Sequence, residues 1–260
     1  MVFGYIDKAW IAYKKNFWQI IIAIILQFLI TAVPIIIGLL PWIFILPFSK
    51  ITDLKTLILS NLGILSFSIV MFIAGCLVSV LLNGGFIRML YEALRGKTKF
   101  ETMLVTAKER FWTILGANLI VLLVLLSIIF AFLLVPIAVL TGFSVTSLSQ
   151  SILLPYLIVI FSIIVLGVIV SVLFSIFFVF VNQAVVINNL NAVQSVKKSF
   201  DVSKKNYISI LALFLIFFFF NAGLTNILSL LGSVLIWFLT APLLLLSYTA
   251  FYVDKIKKTR

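Results

Sequence analysis

A lysine followed three residues later by an aromatic ring recurs at three aligned places in this chain: Lys14 with Phe17, Lys108 with Phe111, and Lys204 with Tyr207. A cation beside a ring that prefers the headgroup layer suits an anionic lipid headgroup or a partner protein. These six residues are the candidate contacts. Little other chemistry is on offer. There is no His and a single Cys, which removes disulfide frameworks, Cys/His metal sites and imidazole acid–base work. Cys76 has no base or cation near it in sequence to activate it, and it reads as a small packing residue. Of the seven carboxylates, none falls in an apolar stretch. No catalytic residue, metal or cofactor is therefore expected.

The elements that must position those contacts are membrane spans. The chain has 260 residues, 64% apolar and 10% charged, with a mean hydropathy of +1.34. Soluble domains carry about 25% charged residues, so a soluble fold is excluded. Charge-free stretches run from Phe17 to Ser49, Thr56 to Ile87, Phe111 to Val196 and Tyr207 to Val253. A span needs ~20 apolar residues. The first two stretches hold one helix each and the last two hold a pair each. The expected spans are Phe17–Leu40, Gly63–Met89, Thr113–Leu140, Leu154–Ile187, Tyr207–Leu228 and Val234–Tyr252. The long runs show no alternation, which favours helices over a barrel. The first span is too long, and lacks a closing small-residue site, for a cleaved leader.

Seventeen of the nineteen basic residues fall on one side of this arrangement, leaving Lys50 and Lys55 opposite with Asp53. The positive-inside bias then places both termini in the cytoplasm. The net charge of +12 is explained by that topology and by anionic headgroups. Nucleic acid is not an expected partner, since no soluble segment is long enough for a basic module.

Three segments entering odd-numbered spans, 6–20, 100–114 and 196–210, align without gaps at offsets of 94 and 96. Beyond the lysine and aromatic, Ile20, Ile114 and Ile210 coincide, as do the polar Gln19, Thr113 and Ser209. Ile6, Trp10, Tyr13 and Phe17, and likewise Phe100, Leu104, Ala107 and Phe111, fall on one helical stripe. Each segment is expected to lie in the headgroup layer on that apolar face. Asn83 and Asn182 end the even spans comparably, with Ser247 near the same place in the third unit. The expected fold is an all-α integral membrane protein. It has six transmembrane helices as three repeats of interfacial amphipathic helix plus helical hairpin. The units are about 1–95, 96–191 and 192–260 of a single membrane domain, and they are expected to surround a pseudo-threefold axis.

The segment Ala192-Val193-Gln194-Ser195-Val196-Lys197-Lys198-Ser199-Phe200-Asp201, followed by Lys204-Lys205-Asn206-Tyr207, resembles a signature of one family of prokaryotic membrane domains. That family is related to the membrane portion of glycerophosphoryl diester phosphodiesterases and includes uncharacterised stand-alone relatives. Pro242, Thr249, Tyr252 and Asp254 are similar to its last helix. The resemblance implies a multi-pass protein of a prokaryotic plasma membrane. It does not imply hydrolysis, because the His and metal-binding carboxylates of the phosphodiesterase are missing here.

No ionisable side chain falls inside a span, which counts against proton or sodium coupling. The neutral polar residues there are Gln27, Thr31, Ser66, Ser68, Ser79, Asn118, Ser162, Ser171, Ser175, Asn182, Gln183 and Asn221. They read first as interhelical glue, at ~0.6 kcal/mol each, and second as a polar groove. Asn83-Gly84-Gly85 reads as close helix packing, and Pro34, Pro136 and Pro242 as ordinary kinks. Pro41 to Phe48 is expected to lie on the outer interface or to dip in briefly. Phe217 to Phe220 reads as lipid-facing bulk or as a partner-helix surface. The function expected is a non-enzymatic scaffold, or lipid- or partner-binding module, working through its basic cytoplasmic face. The alternative is a carrier or flippase for an amphiphilic substrate.

Overall fold

The computed structural model describes residues 2–45, 62–142, 150–227 and 230–257, apart from the side chains at 44–45, 135–142, 150–157, 225–227, 230–235, 237 and 257. The helices in chain order are α1 (Phe3–Lys15), α2 (Phe17–Ile45), α3 (Leu62–Arg95), α4 (Glu101–Glu109), α5 (Phe111–Gly142), α6 (Gln150–Ser175), α7 (Val181–Asn188), α8 (Ala192–Ile227) and α9 (Leu230–Lys257). A 3-10 turn, Ile176–Phe178, lies between α6 and α7. No strand occurs among the described residues. Among the described residues, five helical stretches are long and apolar enough to cross a membrane: Phe17–Ile43, Leu62–Arg95, Phe111–Leu134, Ile158–Asn188 and Ala192–Leu224. The expected sixth span falls in α9, several of whose side chains are outside the described residues. Lys50, Asp53, Lys55, Pro47 and Phe48 also lie outside them, as does the side chain of Pro136.

Three elbows set the plan. Asn16 between α1 and α2 has φ −116° and ψ 21°. Arg110 between α4 and α5 has φ −105° and ψ 15°. Asn206, inside α8, has φ −130° and ψ 21°. This sparsely populated region of backbone space bends a helix without ending it. The amide of Ile20 still donates to the Asn16 carbonyl at 3.1 Å, and that of Ile114 to the Arg110 carbonyl at 2.9 Å. Asparagine suits the bend because its side chain reaches back. Asn16 Nδ2 donates to the Ala12 carbonyl at 3.1 Å, and Asn206 Nδ2 to that of Val202 at 2.9 Å. The elbows stand at the aligned positions, and so do the buried faces around them. Ala9, Met103 and Ser199, then Ile20, Ile114 and Ile210, then Ala23, Ala117 and Leu213, are all fully buried.

That buried face overlaps the expected stripe only in part, at Tyr13 and Ala107. Trp10 and Leu104 are exposed, and packing instead follows positions 9, 13, 16 and 20, about 60° round the helix at ~100° per residue. The larger aromatic residues drew the sequence reading toward the lipid side. Small residues at 9 and 12 face inward because a neighbouring helix comes close.

Each short segment packs on a helix other than the one it enters. The α4 helix lies on the end of α3, the first part of α8 lies on the 3-10 turn and α7, and α1 lies on α9. The chain's two ends therefore meet. Tyr5 stacks edge-on against Phe251 at 5.0 Å, and its hydroxyl donates to Asp254 Oδ2 at 2.7 Å. Burial, then the hydrogen bond and charge of Asp254, push the Tyr5 pKa up from 10.0 to about 12. The fold holds the neutral phenol, so this contribution is complete below pH 10 and is lost as pH rises from 10 to 12. Wild-type protein in detergent should therefore lose more thermal stability across that window than Tyr5→Phe does. Parallel curves for the two proteins would refute the linkage.

The fourth expected span is not one continuous helix. It is interrupted at 176–180, and Ser199 of α8 fills the break. Its hydroxyl donates to the Phe177 carbonyl at 2.9 Å and accepts from the Phe180 amide at 3.1 Å. A break at such depth persists only where the freed backbone groups find partners. The Phe180 ring then packs on Tyr248, Phe251 and Tyr252 of α9.

The structure bears on three other expectations. Cys76 is exposed and does not pack inside. Pro41 and Trp42 belong to α2, where the Trp42 indole N–H donates to Ser68 Oγ at 2.8 Å. Phe217 is buried while Phe218, Phe219 and Phe220 are more than half exposed, so the aromatic run has one inward and three outward members.

Candidate functional site

Lys14, Lys108 and Lys204 are all exposed, each two residues before an elbow. Phe17 and Tyr207 are half-buried and Phe111 is 36% exposed. Of the six expected contacts, Lys14 and Phe17 line one recess together. The residues just after the rings, Trp18, Trp112 and Ile208, are 72%, 79% and 81% exposed. Tyr207 differs from its counterparts in two ways. Its ring lies 5.2 Å from that of Phe177, and its hydroxyl donates to the Leu173 carbonyl at 3.3 Å.

The first elbow is the most elaborated. Asn16 Nδ2 also donates to the Gly96 carbonyl at 3.0 Å, while Asn16 Oδ1 accepts from the Thr98 amide at 3.2 Å. Gln19 Oε1 accepts from the Phe100 amide at 3.2 Å. These bonds clamp the α1–α2 elbow to the turn between α3 and α4. Gly96 sits there at φ +150°, a conformation that L side chains rarely adopt. Between the clamped pieces lies a shallow recess of about 570 Å³. Lys14, Lys15 and Lys97 stand on it, with Trp10 and Trp18. The Lys14 ammonium lies 4.9 Å from the centre of the Trp10 ring. Tyr13 and Thr98 also line the recess, and each has a buried hydroxyl without a hydrogen-bond partner. Cations beside unmet hydroxyl donors form a place suited to a phosphate-bearing headgroup.

The second elbow is wired differently. The Arg110 guanidinium donates to Asn189 Oδ1 at 2.6 Å. Asn189 ends α7 in the left-handed conformation at φ 56°. Arg88, which donates to the Val186 carbonyl at 3.3 Å, pairs with Glu92 at 3.4 Å. This elbow thus surrounds its cations with acids and amides, whereas the first leaves three lysines facing one recess.

Four of the twelve expected polar residues, Ser68, Asn118, Asn182 and Asn221, bond a neighbouring helix. Asn118 Nδ2 donates to Asn182 Oδ1 at 2.7 Å across α5 and α7, and Thr240 Oγ to Asn221 Oδ1 at 2.7 Å across α8 and α9. Ser66, Ser162 and Ser171 bond carbonyls of their own helices one turn back. The exceptions are Gln27 and Thr31 on α2 with Ser79 and Asn83 on α3. These four line a cavity of about 330 Å³ closed by α9. Gln183, also expected among the polar set, is buried with both amide atoms unpartnered.

Sequence reasoning missed Asn16, Ser199 and Tyr13. The signal for Asn16 is its recurrence as Asn206 at the aligned position. Ser199 stands within the signature segment 192–201, but its role there is not legible, because the break it fills lies about twenty residues upstream. The ring of Tyr13 reads from sequence as stripe, and its unmet hydroxyl exists only once Thr98 is folded beside it.

No curated protein and no solved structure matches the chain. Residues 19–253, from the start of α2 to the last part of α9, match the family described as a domain of unknown function (DUF7847). The chain, an all-helical protein with span-length apolar helices, belongs to that family.

Proposed function

We propose that this chain is a non-enzymatic, six-span membrane module, built of three units of about 1–95, 96–191 and 192–260, that binds anionic lipid headgroups at a basic cytoplasmic end. The observation that carries the reading is the recess at the first elbow, where Lys14, Lys15 and Lys97 face two buried, unmet hydroxyls. Cations near an anionic surface contribute about 1 kcal/mol each. The exposed tryptophans beside the elbows fit the same interface.

Support for three units comes from the aligned elbows, the aligned buried residues and the packing of each short segment on the span preceding it, with α1 on α9 closing the circle. The apolar, helical character of α9 supports a sixth span. The concentration of lysine and arginine at one end supports cytoplasmic termini in a prokaryotic plasma membrane. The likeness to the membrane portion of glycerophosphoryl diester phosphodiesterases bears on this architecture and not on hydrolysis. Its closing Tyr-x-Asp has a physical role here. The Tyr252 hydroxyl donates to Asn188 Oδ1 at 3.1 Å, and Asp254 accepts from Tyr5.

The test is a titration of the purified protein, in neutral detergent, with short-chain phosphatidylglycerol, read by native mass spectrometry. Lys14→Gln, Lys108→Gln and Lys204→Gln should each weaken binding about fivefold, the equivalent of ~1 kcal/mol. Lys14→Gln should show the largest effect because its recess has hydroxyls to offer. Undiminished lipid occupancy in the triple variant would sink the lipid reading, and a co-purifying protein lost in that variant would replace the lipid by a protein partner. A carrier of amphiphiles is the second reading, favoured by the cavity between α2, α3 and α9.

A further inference from the structure

We infer that the cavity between α2, α3 and α9 is a binding site for the head of an uncharged, hydroxyl-bearing acyl amphiphile of the diacylglycerol type. The inference stands apart from headgroup binding at the basic end, which neither requires nor forbids it.

The polar lining is the first argument. Elsewhere in the spans, Ser162, Ser171, Asn118, Asn221 and Thr240 each bond a carbonyl one turn back. In the cavity the Thr31 hydroxyl is buried without a partner, and Gln27, Ser79 and Asn83 make no hydrogen bond among the described residues. They come as two pairs one turn apart on facing helices, so both pairs look into the same space. Two amides and two hydroxyls offer donors and acceptors together. Unmet polar groups are costly in a bilayer, where water is scarce, unless a ligand completes them.

The second argument is the absence of charge. No ionisable side chain lines the cavity. Gln27 and Thr31 lie ten and fourteen residues beyond Phe17. At ~1.5 Å per residue they stand about 15–21 Å along the helix, well inside a hydrocarbon core of ~30 Å. An ionic headgroup is too costly there, whereas a free hydroxyl with ester carbonyls matches the lining.

The third argument is the access route. The α2 and α9 helices meet at Phe28 and Phe238, whose rings lie 5.7 Å apart. Phe28 is more than half exposed. The mouth thus opens sideways toward lipid, and acyl tails would leave along Phe28. The volume of about 330 Å³ accepts a head and its first methylenes. The site is also particular to this place in the chain. At the aligned positions Gln27 is replaced by Val121 and Phe217, and Thr31 by Leu125 and by Asn221, which is already bonded to Thr240.

The test uses the full chain in nanodiscs with a diazirine-bearing diacylglycerol, followed by mapping of the labelled peptides. Labelling is expected on α2, α3 and α9 around the cavity and should be displaced by unlabelled diacylglycerol but not by phosphatidylglycerol. Ala241→Phe, which fills the cavity from α9, should lower it at least tenfold without lowering the unfolding temperature. Asn83→Leu keeps the shape, should lower it severalfold, and decides the matter if Ala241→Phe does not fold. Labelling that is spread evenly over the exposed face of α6, that survives both variants, or that fails to occur overturns the inference. Equal displacement by phosphatidylglycerol overturns the uncharged head.

Discussion

Gly85→Ala is expected to destabilise the protein by roughly 3 kcal/mol or more, the upper end of over-packing costs. A Cβ at Gly85 would run into the backbone carbonyl oxygen of Met103 and come within 3.2 Å of the Ala107 Cβ. Backbone cannot swing aside as a side chain can. The α4 helix would have to lift off α3, drawing the fully buried Met103 from a core shared with Ala9, Ile20, Phe86 and Leu90. The Phe100 amide would part from Gln19 and the Thr102 hydroxyl from Glu92, so the first elbow's clamp would loosen with it. The neighbouring Gly84→Ala meets the Cδ1, Cγ1 and Cγ2 atoms of the fully buried Ile114, and should cost about 2 kcal/mol, less than Gly85→Ala because a side chain and not backbone must shift. Gly223→Ala has nothing within 4 Å and gains helix propensity, so it should be neutral or slightly stabilising. Thermal unfolding in one detergent would rank the three. A Gly85 variant no weaker than the Gly223 variant would contradict the packing described.

Ser199→Ala is the second large effect, at about 2–4 kcal/mol. One hydroxyl meets two backbone groups, so its removal orphans the Phe177 carbonyl and the Phe180 amide together. Each buried orphan costs about 1–3 kcal/mol. The loss is local as well as global. Phe180 anchors the aromatic cluster with Tyr248, Phe251 and Tyr252, so the start of α7 should open and its amides exchange faster. Ser162→Ala is the control. Its hydroxyl bonds only the Ile158 carbonyl of its own helix and is exposed, so the change should stay within ~0.5 kcal/mol. Hydrogen exchange at Phe180 and Val181 that is unchanged in Ser199→Ala would show that the break needs no filling.

Clamp and filled break explain how a chain with so few polar residues holds a shaped basic end. Asn16 and Ser199 each serve several backbone groups, and both are placed by close approach between helices.

The expected spans Phe17–Leu40 and Gly63–Met89 fall within span-length stretches, and Thr113–Leu140, Leu154–Ile187 and Tyr207–Leu228 overlap three more, because long charge-free apolar runs have one stable state in a bilayer, the helix. The short segments before the elbows were legible too, since lysine, aromatic and isoleucine recur at fixed spacing. The lysines came out exposed because a charge has no place inside. Facing was harder. At 9, 12 and 16 small and polar residues face inward while Trp10 faces out, since helix contact in lipid rewards close fit more than hydrophobicity. The same holds for Cys76, whose size suggested packing and whose position on α3 put it outside.

Composition and periodicity alone thus determined that the chain is helical, apolar along its spans and basic at their joints, because those properties follow from each residue's own cost of transfer to lipid. Which polar groups would be paired was decided only by tertiary structure. Asn118 found Asn182 and Thr240 found Asn221, while Gln27, Thr31, Ser79 and Asn83 were left facing a cavity. A hydrogen bond depends on the distance between helices far apart in sequence, and no single-chain pattern encodes that distance.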